Sequence, residues 1–199
     1  TLAAGFNDRG TVGSYALFHI QSGFNATSTM ITGGTITLDG QGGDTGGQTD
    51  VAAFFESGCN WTPSGGTLQL IGDNNTDILV DEATNFNFYN LTIGDGVNSK
   101  TVDINATSEG TTDINGDLTI GTNGTLDANA EPMEVGDEWT NNGNFNHGNN
   151  TVTFDGTGTQ IIDSDGATTH AFYDVVLSGS GTVQVDGAMS GANPELKIN

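Results

Sequence analysis

The strongest constraint on how this chain folds is that part of it is written twice. Sliding the sequence against itself by 84 residues lays residues 55–93 on residues 139–177, an ungapped register of 39 positions. Nine positions are identical: Asn60, Thr67, Gly72, Ile78, Asp81, Ala83, Thr84, Phe88 and Tyr89 face Asn144, Thr151, Gly156, Ile162, Asp165, Ala167, Thr168, Phe172 and Tyr173. Chance would supply about three in a composition this biased. Elsewhere in the register apolar faces apolar, as in Phe55/Trp139, Trp61/Phe145, Leu68/Val152, Leu70/Phe154, Leu91/Val175 and Ile93/Leu177. A stretch that recurs without insertion is held in a repeating geometry.

That geometry is built from strands. The runs "TLQL" (67–70), "FYNLTI" (88–93), "TVDI" (101–104), "DLTI" (117–120), "TVTF" (151–154), "FYDVVL" (172–177), "TVQV" (182–185) and "ELKI" (195–198) have period two. Alternate side chains therefore share a face. The chain has 31 Gly and only 3 Pro, and its Gly, Asn and Asp clusters between β-branched runs read as turns. No amphipathic helix is visible, so the chain is all-β. Comparable strands start about 20 to 25 residues apart. On that spacing the repeat spans about four coils of a parallel β-helix (β-solenoid), and the chain about nine coils, a rod on the order of 40 Å long. Antiparallel β-sandwich domains are the alternative, because regular short strands with turn signals suit them too. The uninterrupted register and the small turns favour the solenoid. Residues 1–50, with "YALFHI" (15–20) and "TITLDG" (35–40), fit the period less well and are expected to be an atypical N-terminal cap region, leaving 51–199 as the solenoid. Phe88 and Phe172 should build the wall, with Tyr89 and Tyr173 pointing outward.

The charge excludes several functions. Against 25 acidic residues stand only Arg9, Lys100 and Lys197, a formal net charge of −22. Nucleic acid needs Lys and Arg to displace its counterions, and an anionic bilayer would repel this chain. No apolar run approaches the roughly 20 residues that span a bilayer, so neither nucleic-acid binding nor membrane insertion is expected. Self-repulsion on this scale strains a compact state, and cations relieve it. Cys59 is the single cysteine, which rules out an intramolecular disulfide. The opening "TLAAGFNDRG" has neither an initiator Met nor a signal-peptide apolar region, and the sequence stops in the strand-like "ELKIN". A mature or excised segment of a longer polypeptide is therefore expected.

Acidic turns are the chemical candidates. "DNNTD" carries Asp73, Asn75 and Asp77, and "DINGD" carries Asp113, Asn115 and Asp117. Both open like an oxygen-ligand calcium loop. Neither completes it, because the sixth position is Ile78 or Leu118 where Gly is required and the twelfth is Thr84 or Gly124 where a bidentate Glu is required. Asp163 and Asp165 in "DSDG" form a third acidic turn. The competing reading is a solvated turn whose Asp and Asn cap their own backbone. No cofactor is required, and calcium is the one the residues suggest. His19, His147 and His170 lack metal-ligand spacing, and Cys59 faces Gly143 in the register, as a small turn residue would. Two carboxylates suffice for glycosidase chemistry, so 25 acids discriminate nothing. A lyase acting on acidic polysaccharide needs clustered bases, and the three here are scattered. The chain is read as no enzyme. Aromatic residues at repeat-equivalent positions argue for packing over sugar stacking. Seven N-x-[ST] sequons occur, a modest excess over composition.

"EWTNNGNFNHGNNTVTFDGTGTQIIDSDG" (138–166) followed by "FYDVVLSGSGTVQVDG" (172–187) resembles the W-x-N-x-G-x-F … T-V-x-F-x-G-x-x-x-Q-x-I … F-Y-x-L-x-I pattern of long β-repeat, adhesin-like surface proteins of prokaryotes, with related repeats in virion fibre-type proteins. Residues 55–104 match more weakly, with Phe55 and Trp61 in place of Trp and Phe and Thr76 in place of Gln. The resemblance implies an extracellular, non-catalytic scaffold or adhesin-type segment at a cell or virion surface, with a parallel β-helix fold. It would serve as a surface stalk, appendage or fibre, with other copies of itself in a filament or homo-oligomer, or a host surface glycan, as partner. The remaining alternatives are a carbohydrate-binding or polysaccharide-degrading β-helix module and a calcium-dependent adhesion module.

Overall fold

Short period-two runs broken by Gly and Asn cannot bury an apolar face alone, and the chain solves this by winding so that each strand lies on the one a turn earlier. The computed structural model describes residues 16, 18–26, 31–40, 43–45, 48–80, 85–106, 110–163, 171–185 and 197–198. Every element among them is a strand. The first rung is β1 (Phe18–Ile20), β2 (Asn25–Ala26) and β3 (Thr32–Asp39), from which β4 (Gly43–Thr45) makes an excursion. The second is β5 (Gln48–Phe55), β6 (Asn60–Trp61) and β7 (Gly65–Ile71), and the third β8 (Thr76–Val80), β9 (Asn85–Phe86) and β10 (Asn90–Ile93). Then come β11 (Lys100–Ala106), β12 (Thr112–Ile114) and β13 (Leu118–Ile120), followed by β14 (Gly124–Asp127), β15 (Met133–Val135) and β16 (Trp139–Asn141). β17 (Asn144–Asn146), β18 (Thr151–Phe154) and β19 (Thr159–Asp163) precede β20 (Ala171–Phe172), β21 (Asp174–Leu177) and β22 (Thr182–Val185), and β23 (Lys197–Ile198) pairs with β20.

Three walls result. The first runs β1-β5-β8-β11-β14-β17 and the third β3-β7-β10-β13-β16-β19-β22, while β2-β6-β9 and then β12-β15-β18-β21 make the second. Of the 18 strand pairings among the described residues, 17 are parallel. The exception is β4 on β5. A parallel β-solenoid is therefore correct, and the antiparallel sandwich is not.

The expected nine coils are not reached among the described residues: the first wall makes five turns from β1 to β17, and the third adds a sixth step. Register partners on the third wall lie 32, 23, 27, 21, 23 and 23 residues apart from Ile36 to Val185, so turns are longer than expected where β4 and the corners take up chain. β1 to β3, inside the segment expected as a cap, stack in parallel register on β5 to β7.

The 84-residue repeat also changes meaning. β7 recurs as β18, β8 as β19 and β10 as β21, each eleven strands later. At three strands per turn that is three and two-thirds turns, so each copy returns on the preceding wall. Equivalent residues do not stack on one another. What recurs is a packing unit that straddles the interior. Phe55 meets Trp61 at 5.7 Å and Phe88 at 5.8 Å between ring centroids, and Trp139 meets Phe145 and Phe172 at 4.9 Å each. Between these two aromatic plugs the core is aliphatic, including Leu91, Ile93, Val102, Ile104, Ile114, Leu118, Ile120, Leu126 and Val135.

Corners use specific devices. Gln160 is buried; its Nε2 donates to Val135 O at 2.6 Å, and its Oε1 accepts from Gly156 N at 3.0 Å. A Cβ at Gly156 would lie 2.1 Å from Gly136 O. The G-x-x-x-Q spacing is thus a corner clamp, and in the earlier copy Thr76 replaces it with a 2.6 Å bond from its hydroxyl to Asp50 O.

Phe88 and Phe172 are buried as expected of wall residues, whereas Tyr89 and Tyr173 are 36% and 37% exposed. Phe172→Ala is accordingly expected to cost about 3–5 kcal/mol in chemical denaturation, and Tyr173→Ala less than about 1 kcal/mol. Equal costs would contradict the inside-outside assignment.

Candidate functional site

In-register stacking lays outward side chains in rows along the rod, and the three walls carry different rows. On the first wall Asp77, Asp103 and Asp127 are successive register partners, followed by Asn146. Neighbouring parallel strands are about 4.8 Å apart, so the carboxylates form a ladder of like charge. On the second wall Asp113 pairs with Glu134. The third wall is nearly neutral, with Thr37, Gln69, Thr92, Thr119 and Thr140 in one row before Asp163.

The electrostatics follow from this placement. Burial, then the neighbouring Asp103 and Asp50, push the Asp77 carboxyl up to about 6, against a hydrogen bond from Asn105 that lowers it. Asp103 is raised by burial and by Asp127. Asp113 is pushed up to about 6 by burial, Glu134 and Asp155.

The calcium turns are divided among these partners. Asp73 is exposed after β7 and lies beside Lys100, a buried lysine whose Nζ donates to Gly40 O at 2.9 Å. Burial lowers the Lys100 pKa while Asp39 and Asp73 oppose the shift. Asn75 is exposed, and Asp77 belongs to the ladder on β8. In the second turn Asp113 faces Glu134, Asn115 is exposed, and Asp117 Oδ1 accepts from Glu138 N at 3.2 Å across rungs. Asp163 closes β19, and Asp165 lies outside the described residues. No group of three or more His, Cys, Asp or Glu side chains placed to hold a metal occurs among the described residues. The backbone-capping role is visible at Asp95, whose Oδ1 accepts from Val97 N and Asn98 N at 2.8 Å each.

Two features of the first rungs carry signals that the 84-residue register does not contain. His19 stacks on Phe54 at 4.8 Å and meets Glu56 Oε1 at 2.8 Å, on an outer face where Val51, Phe54 and Leu79 are buried with Ala16. The unbroken run "VAAFF" (51–55) is the sequence sign of a strand covered on both sides. Beside it on the chain, Cys59 is buried, and burial with Glu56 pushes its thiol up to about 11, which leaves little reactive thiolate.

The second feature is a groove of about 310 Å³ where the corners of the first three rungs meet. Trp61 and Phe88 form its apolar side, Tyr89 its exposed aromatic edge, and Thr32, Thr35 and Thr67 contribute hydroxyls. A bulge opens it: Thr32 pairs with Gly65 and Thr35 with Thr67, so Gly33 and Gly34 together oppose Gly66. The rungs meet so closely that a Cβ on Gly65 would lie 2.3 Å from Thr32 O. The matching stretches "TGGTITLDG" (32–40) and "SGGTLQLIG" (64–72) announce this contact in the sequence. Comparison with family models, with curated proteins and with solved structures gave no match to this chain.

The carboxylate rows fix the direction of the pH dependence. A carboxyl that titrates at 3.8 when unfolded and about 6 when folded holds its proton longer in the native state. Its stabilising share is full below the lower value and is lost as pH rises through the upper one. Melting is therefore expected at a higher temperature at about pH 5 than at about pH 7.5. Asp103→Asn, which interrupts the ladder, should raise the pH 7.5 melting temperature by roughly 2–4 °C and narrow that gap. A melting temperature that falls on acidification over this range would refute the ladder's influence.

Proposed function

We propose that this chain is a non-catalytic structural segment, a stiff acidic rod of the adhesin, stalk or fibre kind presented outside a cell or on a virion, and that it associates end to end with further copies of itself. The observation that carries this reading is the exposure of the rung that β21 and β22 form. Leu177 continues the buried row of Phe154, and Val185 that of Ile162, yet they are 64% and 43% exposed. Among the described residues no later strand stacks on β21 or β22, although β23 begins a further rung on β20, and a complete further rung is the shape that covers these two positions. At the opposite end of the third wall β3 has β7 as its one neighbouring strand among the described residues. A β3 laid on the β22 of another copy would continue the same parallel sheet, a heterologous contact that propagates along the axis. Acidic rows on the sides discourage lateral association, so growth is confined to the ends.

Calcium enters this reading as a cation that relieves the carboxylate rows. A melting temperature raised by calcium and restored by chelator, beyond the shift from sodium chloride of equal ionic strength, is the expected sign of a bound ion. Equal melting at constant ionic strength removes calcium from the proposal.

For the rod itself the measurement is sedimentation velocity from low to high micromolar concentration. The sedimentation coefficient should rise with concentration, and Leu177→Lys should abolish the rise while leaving the melting temperature nearly unchanged. A monomer at every concentration, or association indifferent to Leu177→Lys, overturns axial assembly.

A further inference from the structure

We propose that the groove between the corners of the first three rungs binds a neutral glycan chain, a property independent of whether the rod assembles. Its first warrant is charge. The molecule carries 25 acidic residues, yet none of the groove's fifteen lining residues bears a formal charge at neutral pH. A uronate or sulfated chain would be repelled by the acidic walls, and a cationic ligand would find its partners on the Asp77, Asp103 and Asp127 ladder, away from this groove.

The second warrant is the pairing of surfaces. A sugar ring presents an apolar C–H face and a rim of hydroxyls. Tyr89, 36% exposed, is the accessible aromatic side chain of the groove, with the buried Trp61 and Phe88 also in its lining, and an aromatic ring suits the C–H side. The hydroxyls of Thr32, Thr35 and Thr67 both donate and accept, as a hydroxyl rim requires. The bulge takes the peptide groups of Gly33 and Gly34 out of regular pairing with β7 at the groove's edge. At about 310 Å³ the space lies at the small end of ligand-sized pockets.

The third warrant is that the residues lining the groove are not repeated: Gly65, Gly66 and Asn90 correspond to Asn149, Asn150 and Asp174 in the later copy. Tyr173 occupies the repeat-equivalent position with almost the same exposure as Tyr89, but it stacks on His147 at 5.8 Å and lines no part of the groove. Packing must be repeated in each copy, whereas a binding site need not be. Tyr173 is therefore an internal control with matched chemistry.

The test is titration of the whole chain with short neutral oligomers of hexose and of N-acetylhexosamine, with uronate oligomers as the anionic arm. Trp61 lines the groove, and Trp139 is the only other tryptophan. Trp139→Phe therefore leaves a single fluorescence reporter at the site, and calorimetry on the unsubstituted chain gives the same answer should that variant fold poorly. Saturable binding of a neutral oligomer is expected, weakened about tenfold by Tyr89→Ala and unchanged by Tyr173→Ala. No saturable binding of any neutral oligomer, equal weakening by the two tyrosine variants, or uronate binding as tight as neutral binding overturns the proposal.

Discussion

Everything in this molecule follows from the parallel ladder, in which a residue is fixed beside the residue one turn earlier at the strand spacing of about 4.8 Å. Inside, that proximity is favourable, because apolar side chains stacked in register exclude water from one another along the whole rod. Leu68, Leu91 and Leu118 form one such row, and Leu70, Ile93 and Ile120 the next. Outside, the same proximity is indifferent for Thr92 on Thr119 and unfavourable for Asp103 on Asp77. A solenoid cannot choose favourable neighbours inside without also imposing neighbours outside.

The strand alternation and the absence of helix among the described residues were legible because period-two runs dictate faces locally. The number of turns was not, since it depends on corner length, and corners tolerate extra chain without disturbing the walls. The step from Thr35 to Thr67 takes 32 residues and that from Leu118 to Trp139 only 21, with equal stacking at either end. For the same reason the 84-residue repeat could be read as whole turns. Its true phase, one wall short of four, is visible only when β10 and β21 are seen on different walls. What survived this correction is the reason for the recurrence: the Phe55 and Trp139 plugs are built alike although they face different walls.

Candidate chemistry was less legible, because spacing along the chain and spacing across rungs compete for the same side chains. The D-x-N-x-D pattern predicts carboxylates gathered by a single turn, yet Asp73 neighbours Lys100 from a later rung and Asp77 is claimed by Asp103. Asp117 is likewise spent on Glu138 N. In a solenoid a turn's nearest neighbours are other turns, so a local motif loses its meaning once the rungs stack. The groove illustrates the converse. It was written in the paired "TGGT" and "SGGT" stretches, 32 residues apart, but only stacking turns two glycine pairs into a bulge with open backbone.

The placement of the rare lysine shows how the fold contains its charge. A cation in an acidic protein would be most simply placed on the surface, where it could screen many carboxylates weakly. Lys100 is instead buried, with its ammonium on a backbone carbonyl sixty residues away and with Asp39 and Asp73 near enough to oppose the effect of burial on its pKa. That arrangement ties the corner of the fourth rung to the corner of the first, where the long β4 excursion makes the ladder least regular. The ladder of Asp77, Asp103 and Asp127 receives no such partner from Lys100 and remains net repulsive along the rod. A sequence tuned for stability alone would have alternated charge along that row. Retaining like charges there keeps that face of the rod mutually repulsive, while the groove at the corners of the first three rungs is lined by uncharged residues.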